Sequence, residues 1–227
     1  MEEKSISTCT RRYREIGYGV EKNNIEKRIV GGIAVGYMDG VYEPGHDSEI
    51  LLKSVDHVIE FGTARLGVLL EIGSGTGYVS AKLMSKYDIG YAILVDIDPK
   101  AVYSSWKTVK MNEVDWKVDV IQCDGASCIR REVVDLVYFN PPYLPICDDI
   151  PEAIAWNGGE NGLEVWSRFF RDSLSVCKKG CTIVFIMSTL QKVDELLKYI
   201  LNYEYVEVLN CEHFFYEMIC GIAVKIF

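Results

Sequence analysis

From residue 68 onward, short apolar runs alternate with segments in which apolar residues recur at helical spacing. Runs at 68–72, 91–95, 118–122 and 133–139 read as buried strands. Each ends at a glycine, an aspartate or a proline pair. Before them, Ile50, Leu51, Val55, Val58 and Ile59 share one face of a helix over 44–61. Pro44-Gly45 breaks the chain ahead of it, Asp47 or Ser48 can cap it, and Gly62 closes it. After the glycines at 73–77, Val79, Leu83, Met84 and Tyr87 form a second helical face, and Asp98-Pro99 opens a third helix by cap and first-turn proline. Helices over 163–176 and 193–200 flank a strand at 182–187, and β-runs at 203–209 and 219–226 lie close enough to pair antiparallel. Residues 29–40 mix β-branched residues with glycines, as a short hairpin does. This alternation predicts an α/β domain.

The run at 133–139 stops at Asn140-Pro141-Pro142-Tyr143, because two prolines cannot donate to a sheet ladder. The tetrapeptide therefore sits in a loop at the carboxyl end of a buried strand, where ligands bind in open α/β sheets. The Asn140 side-chain oxygen and the Pro141 carbonyl are two acceptors suited to the two hydrogens of a planar NH2 group. Tyr143 can stack on whatever carries that group. The chemistry indicated is on an amide or amino nitrogen.

Three further strand ends carry carboxylates: Glu71, Asp96 and Asp124. Glu71 precedes the turn Gly73-Ser74-Gly75-Thr76-Gly77, whose glycines suit close approach of backbone to a ligand. A dinucleotide fingerprint would want glycine at 78, where Tyr78 stands. An acid before the turn favours a cationic ligand over a pyrophosphate. Asp96 is placed to accept from ribose hydroxyls. Asp98 reads as a cap. Asp124-Gly125 is either a turn or a ligand contact.

LLEIGSGTG at 69–77 followed by Asn-Pro-Pro-Tyr resembles class I S-adenosylmethionine-dependent methyltransferases that modify a planar nitrogen. Within that group the chain resembles the HemK family of glutamine methyltransferases, in its eukaryotic and archaeal branch, with further likeness in VYEPGHDSEILL at 41–52 and AWNGGENGLEVWSRFF at 155–170. The resemblance implies a Rossmann-like, mostly parallel seven-stranded sheet with one antiparallel strand and helices on both faces. It implies a methyltransferase domain over 41–227; residues 1–40, outside the resemblance, read as a partly flexible N-terminal extension. The implied cofactor is S-adenosyl-L-methionine, held by Ser48, Glu71, Gly73, Gly75, Gly77, Asp96, Asp124, Gly125 and Asn140, with Asp124 accepting from the adenine amino group. The implied catalytic element is Asn140, Pro141, Pro142 and Tyr143. The substrate it implies is the glutamine of a Gly-Gly-Gln motif in a class I translation termination factor (peptide chain release factor). It also implies a small zinc-binding activator subunit added at the sheet edge, where Trp116, Val118 and Val120 form either a sticky face or a surface packed under a helix. The loop over 144–162 matches the family's substrate side, and Asp148, Asp149 and Glu152 could meet a basic partner.

Composition narrows the alternatives. A chain of 227 residues suits one domain that buries about 70% of its unfolded surface. A net charge of −9 disfavours phosphate backbones and so weakens the rival reading, methylation of adenine or guanine amino groups in DNA or RNA. A non-catalytic cofactor-binding domain is the other alternative, and joint retention of Asn140, Glu71, Asp96 and Asp124 speaks against it. No apolar run is long enough to span a bilayer, and the first residues show no signal-peptide pattern, so a cytoplasmic protein is expected. The eight cysteines include no C-x-x-C pair, so reduced thiols and no metal site are expected. RRYR at 11–14 reads as a solvated leader or a substrate-contacting arm. His46, His57 and His213 are scattered, and none is placed as a base.

Overall fold

A computed structural model describes residues 25–227 except 63, 147 and 149, and leaves out the side chains of residues 151 and 152. The basic cluster at 11–14, Cys9, Cys147, Asp149 and the Glu152 side chain lie outside what is described. The apolar runs become strands β3 (Val68–Ile72), β4 (Tyr91–Asp96), β5 (Val118–Gln122) and β6 (Val134–Phe139). They are joined by helices α2 (Tyr78–Lys86) and α3 (Pro99–Met111), with α1 (His46–Glu60) ahead of them. Beyond β6 come α4 (Glu164–Val176), β7 (Cys177–Ser188), α5 (Val193–Ile200), β8 (Tyr205–Phe214) and β9 (Glu217–Lys225).

The main sheet has seven strands in the order β5-β4-β3-β6-β7-β9-β8. All neighbours are parallel except β9, which runs antiparallel to both β7 and β8. This is the arrangement expected from the sequence. The order reverses between β3 and β6, so the turns after these strands open onto one crevice.

Alternate residues of each central strand feed opposite faces. Leu69, Leu94, Leu136 and Val184 pack with Leu51, Val55, Val58, Leu83 and Val109 of α1, α2 and α3. Leu70, Ile72, Val137, Phe139 and Phe185 pack with Trp166, Phe169, Phe170, Leu196 and Ile200 of α4 and α5. Full burial of a side chain of this size stabilises the fold by roughly 1.5–3 kcal/mol. The two clusters hold the strand ends rigidly.

Some element ends differ from the sequence reading for identifiable reasons. β7 starts at Cys177 because a register shift against β6 accommodates Lys178, Lys179 and Gly180, whose polarity hides the strand. β8 runs on to Phe214 because its solvent side tolerates Asn210 and Glu212, as an edge strand does. Val118 and Val120 pack into the core, leaving Trp116 as the 76% exposed apolar residue beside the β5 edge.

A separate hairpin, β1 (Ile25–Val30) and β2 (Ile33–Met38), turns on Gly31-Gly32, both at positive φ. It is tied to α3, since Ala34 N donates to Asn112 Oδ1 (3.1 Å) and Gly36 N donates to Thr108 Oγ1 (2.9 Å). The packed fold thus includes residues before 41. Among the described residues no helix is long and apolar enough to cross a membrane.

Among the described residues, cysteines are paired as Cys123–Cys128, Cys177–Cys181 and Cys211–Cys220. The fold thus brings together thiols that the sequence reading takes as separate. Sequence spacing did not reveal that sheet register sets Cys211 opposite Cys220, or that a bulge and a turn fold the other two pairs together.

The seating of α1 depends on a missing side chain. A Cβ on Gly221 of β9 would lie 1.9 Å from Ser54 Oγ and 2.7 Å from Ser54 Cβ. Gly221→Ala is therefore expected to lower unfolding free energy by about 1–3 kcal/mol, read from urea denaturation; an unchanged midpoint would show that α1 is free to move.

Candidate active site

The carboxyl ends of β3, β4, β5 and β6 and the N-terminus of α1 enclose a cavity of about 360 Å³. Gly73, Gly75 and Gly77 all adopt positive φ (72°, 55° and 71°), a backbone path that side chains disfavour. Gly73 N and Ser74 N donate to Val95 O, and Gly75 N donates to Asp96 Oδ2 at 2.8 Å. The turn is thereby fastened to the end of β4. Gly73 and Gly75 line the cavity. Gly77 stands behind it as the N-cap of α2, where a Cβ would come within 3.0 Å of Ser105. Its freedom from a side chain serves the close packing of α2 against α3.

Two carboxyls at this end, the buried Glu71 and the part-buried Asp96, are short of positive charge. Burial raises Glu71 to about 8, partly offset by hydrogen bonds from the Ser80 hydroxyl and backbone. Ser80 Oγ in turn meets Tyr138 OH at 2.6 Å. Burial likewise raises Asp96 to about 6, against the amides of Gly75 and Asp98 that donate to it. Among the described residues neither is in an ion pair. A cavity wall with a desolvated acid at each of two strand ends, joined by a glycine turn, fits a cationic ligand that carries a ribose. S-adenosylmethionine has both features.

Asp124 lines the same cavity after β5, and its Oδ1 pairs with Arg168 at 2.7 Å. Gly125 (φ 58°) allows the following backbone to reach α4, where Ala126 N donates to Asp172 Oδ2 at 3.0 Å. Cys123 and Cys128 bracket this turn. Ser48 also lines the cavity, and its hydroxyl accepts from Gly45 N at 3.3 Å.

Gly45, and not Asp47 or Ser48, is the N-cap of α1. Asp47 is thereby free for another task. Its Oδ2 accepts from Asn140 Nδ2 at 2.7 Å and from Tyr42 OH at 2.9 Å, while its Oδ1 accepts from Ser48 N. A carboxylate can only accept, so the Asn140 amide must turn its NH2 toward Asp47. Asn140 Oδ1 is left buried and without a hydrogen-bond partner. Such an orphan acceptor is costly unless a ligand supplies the donor. Burial, with Asp47 and Glu217 nearby, raises the Tyr143 hydroxyl far above the ordinary tyrosine value, so it stays protonated.

The loop after Tyr143 returns to brace it. Cβ atoms on Gly158 or Gly162 would collide with the Tyr143 main chain at 2.8 and 2.4 Å. Buried Gln191 holds the loop from below, its Nε2 donating to Gly162 O (2.7 Å) and its Oε1 accepting from Ser188 N (2.9 Å). Asp148 is used inside the loop, accepting from Trp156 Nε1 at 3.0 Å. The sequence reading placed Asn140, Tyr143, Glu71, Asp96, Asp124 and Ser48 around one cavity but missed Asp47, whose position near a helix start looks like a cap.

Residues 44–216 match the methyltransferase small domain family. The chain belongs to this family, in its HemK branch. Human methyltransferase HEMK2 is 37% identical over 150 residues, covering 62% of this chain and 68% of that protein. The eRF1 methyltransferase catalytic subunit mtq2 of Schizosaccharomyces pombe is 32% identical over 180 residues, 70% of this chain and 78% of that one. Among solved structures, the N-terminal domain of human METTL16 in complex with SAH superposes with a TM-score of 0.61 at 19% identity, over 86% of this chain and 76% of that one. That likeness shows the methyltransferase fold. The cofactor of this methyltransferase is S-adenosylmethionine.

Glu71 and Asp96 give the cofactor-free methyltransferase a pH signature. Their folded-state values lie above the ordinary 4.5 and 3.8, so the folded chain holds protons that the unfolded chain releases. Their contribution is present at low pH and lost as pH rises toward 8. Thermal midpoints should fall between about pH 5 and pH 8, and Glu71→Gln should remove most of the fall above pH 6. An identical slope in that variant would contradict the protonation of Glu71.

Proposed function

We propose that this methyltransferase modifies the side-chain amide nitrogen of the glutamine in a Gly-Gly-Gln motif of a class I peptide chain release factor. The observation that carries the reading is the buried, partnerless Asn140 Oδ1, whose amide Asp47 holds in one orientation. Bound S-adenosylmethionine supplies a methyl group on positively charged sulfur. An amide nitrogen is a poor nucleophile because its lone pair is delocalised into the carbonyl. Asn140 Oδ1 and the Pro141 carbonyl accept its two N–H groups and direct the lone pair, a restriction that can supply several kcal/mol of barrier reduction. Pro142 stiffens the turn, and Tyr143 stacks on the planar group. The Asp47 carboxylate polarises the Asn140 amide, and this field favours positive charge growing on the acceptor nitrogen. No strong base is required, since the proton leaves only after transfer.

Glu71, Asp96 and Asp124 take the cofactor's ammonium, ribose and adenine ends, with Ser48, Gly73, Gly75 and Gly125 shaping the wall and Gly77 supporting it. Protein is favoured over nucleic acid by the net charge of −9 and by the likeness to the eRF1 methyltransferase catalytic subunit of Schizosaccharomyces pombe. A small zinc-binding activator subunit at the β5 edge completes the reading. Exposed Trp116 and half-exposed Trp106 mark the surface it would cover.

Asn140→Ala is expected to keep cofactor affinity within about threefold by calorimetry, yet leave a release factor unshifted in intact mass, a loss of at least about 100-fold in turnover. Wild-type turnover in that variant would remove Asn140 from the chemistry, and methylation of DNA or tRNA in place of the factor would favour the nucleic-acid reading. Co-expression with the activator should raise the soluble yield of the wild-type chain more than that of Trp116→Ser.

A further inference from the structure

Two large aromatic residues occupy a place where folding gains nothing from them. The turn between β8 and β9 consists of Phe215 and Tyr216, which are 108% and 84% exposed. Phe215 adopts φ 43°, a conformation that two-residue hairpins fill with asparagine or glycine. Neither ring adds to the core, and the backbone is strained to present them.

The turn also stands on a firm base beside the acceptor end of the cavity. Thr189 N donates to Met218 O at 3.0 Å, Met218 N donates to Thr189 Oγ1 at 2.9 Å, and the Phe214 ring meets His46 of α1 at 5.1 Å. Tyr216 and Glu217 share the cavity wall with Asn140 and Tyr143. Glu217 is fixed by Ser188 Oγ at 2.5 Å. Its charge, with that of Asp47, acts on the Tyr143 and Tyr42 hydroxyls. An aromatic ledge therefore leads into the pocket past a carboxylate.

We infer that this turn is a docking lip for the protein substrate: Phe215 and Tyr216 lie against the main chain of the loop that carries the glutamine, and Glu217 receives a basic group flanking it. The inference rests on the protein-glutamine reading above. Exposed aromatics also stack on unpaired bases. Here the lip adjoins the carboxylate of Glu217, which repels a phosphate backbone and attracts a basic polypeptide. Continuity with the acceptor pocket makes the neighbouring residues of the methylated segment the occupant.

The test replaces the lip by a sequence that the turn prefers, Phe215→Asn with Tyr216→Gly, in the full chain with its activator subunit. The double variant should melt no lower than wild type and bind S-adenosylmethionine with unaltered affinity. Its KM for the intact release factor should rise at least about tenfold, the scale of losing an aromatic anchor, with the smaller change in kcat. Glu217→Gln should raise KM and weaken its dependence on salt. An unaltered KM in the double variant, with wild type active, would overturn the lip alone. A wild-type chain unable to modify the factor would overturn the lip together with the substrate reading. Competition of wild-type turnover by single-stranded RNA, relieved in the double variant, would also overturn it by assigning the ledge to bases.

Discussion

The hydrogen bond from Asn140 Nδ2 to Asp47 Oδ2, 2.7 Å long, is the constraint on which the site depends. A primary amide can present either of its ends. A carboxylate that only accepts removes that choice and leaves the amide oxygen as an acceptor with nothing to accept from. Much of the surrounding architecture serves this one orientation. Gly221 lets α1 sit close on β9. Gly45 caps the helix, so that Asp47 is not consumed as a cap. Tyr42 holds the second lone pair of the same carboxylate oxygen.

The other half of the cavity works by the opposite device. Around Asn140 the structure supplies charge and leaves a donor wanting; around Glu71 and Asp96 it desolvates acids and leaves a cation and hydroxyl donors wanting. Both halves are incomplete in ways that the two reactants would complete. The glycine turn fastened to Asp96 and the glycines packed on Tyr143 keep these groups from relaxing into each other. Rigidity of this kind lets binding energy be spent on orientation.

The sequence disclosed the sheet and the motif far better than the contacts between distant segments. Strands over 68–72 and 118–122 and the helix over 193–200 were legible to the residue because apolar residues dominate the two strands and recur at helical spacing in the helix. The Asn-Pro-Pro-Tyr turn announced its location through its prolines. Asp47 did not, because an acid near a helix start has an ordinary local explanation and its partner lies 93 residues away. Gly77 looked like its two neighbours in the turn, yet its job is to clear Ser105 on another helix. The cysteine pairs and the aromatic turn at 215–216 depend on register and on strand ends that polar residues conceal.

The most direct test of the central constraint is the single-turnover rate of methyl transfer to the release factor in Asp47→Asn, measured with cofactor and factor both saturating. Freed from an acceptor-only partner, Asn140 can present either end, and the rate should fall by at least about 100-fold while cofactor affinity holds. A rate equal to wild type would contradict the claim that Asp47 sets the acceptor geometry.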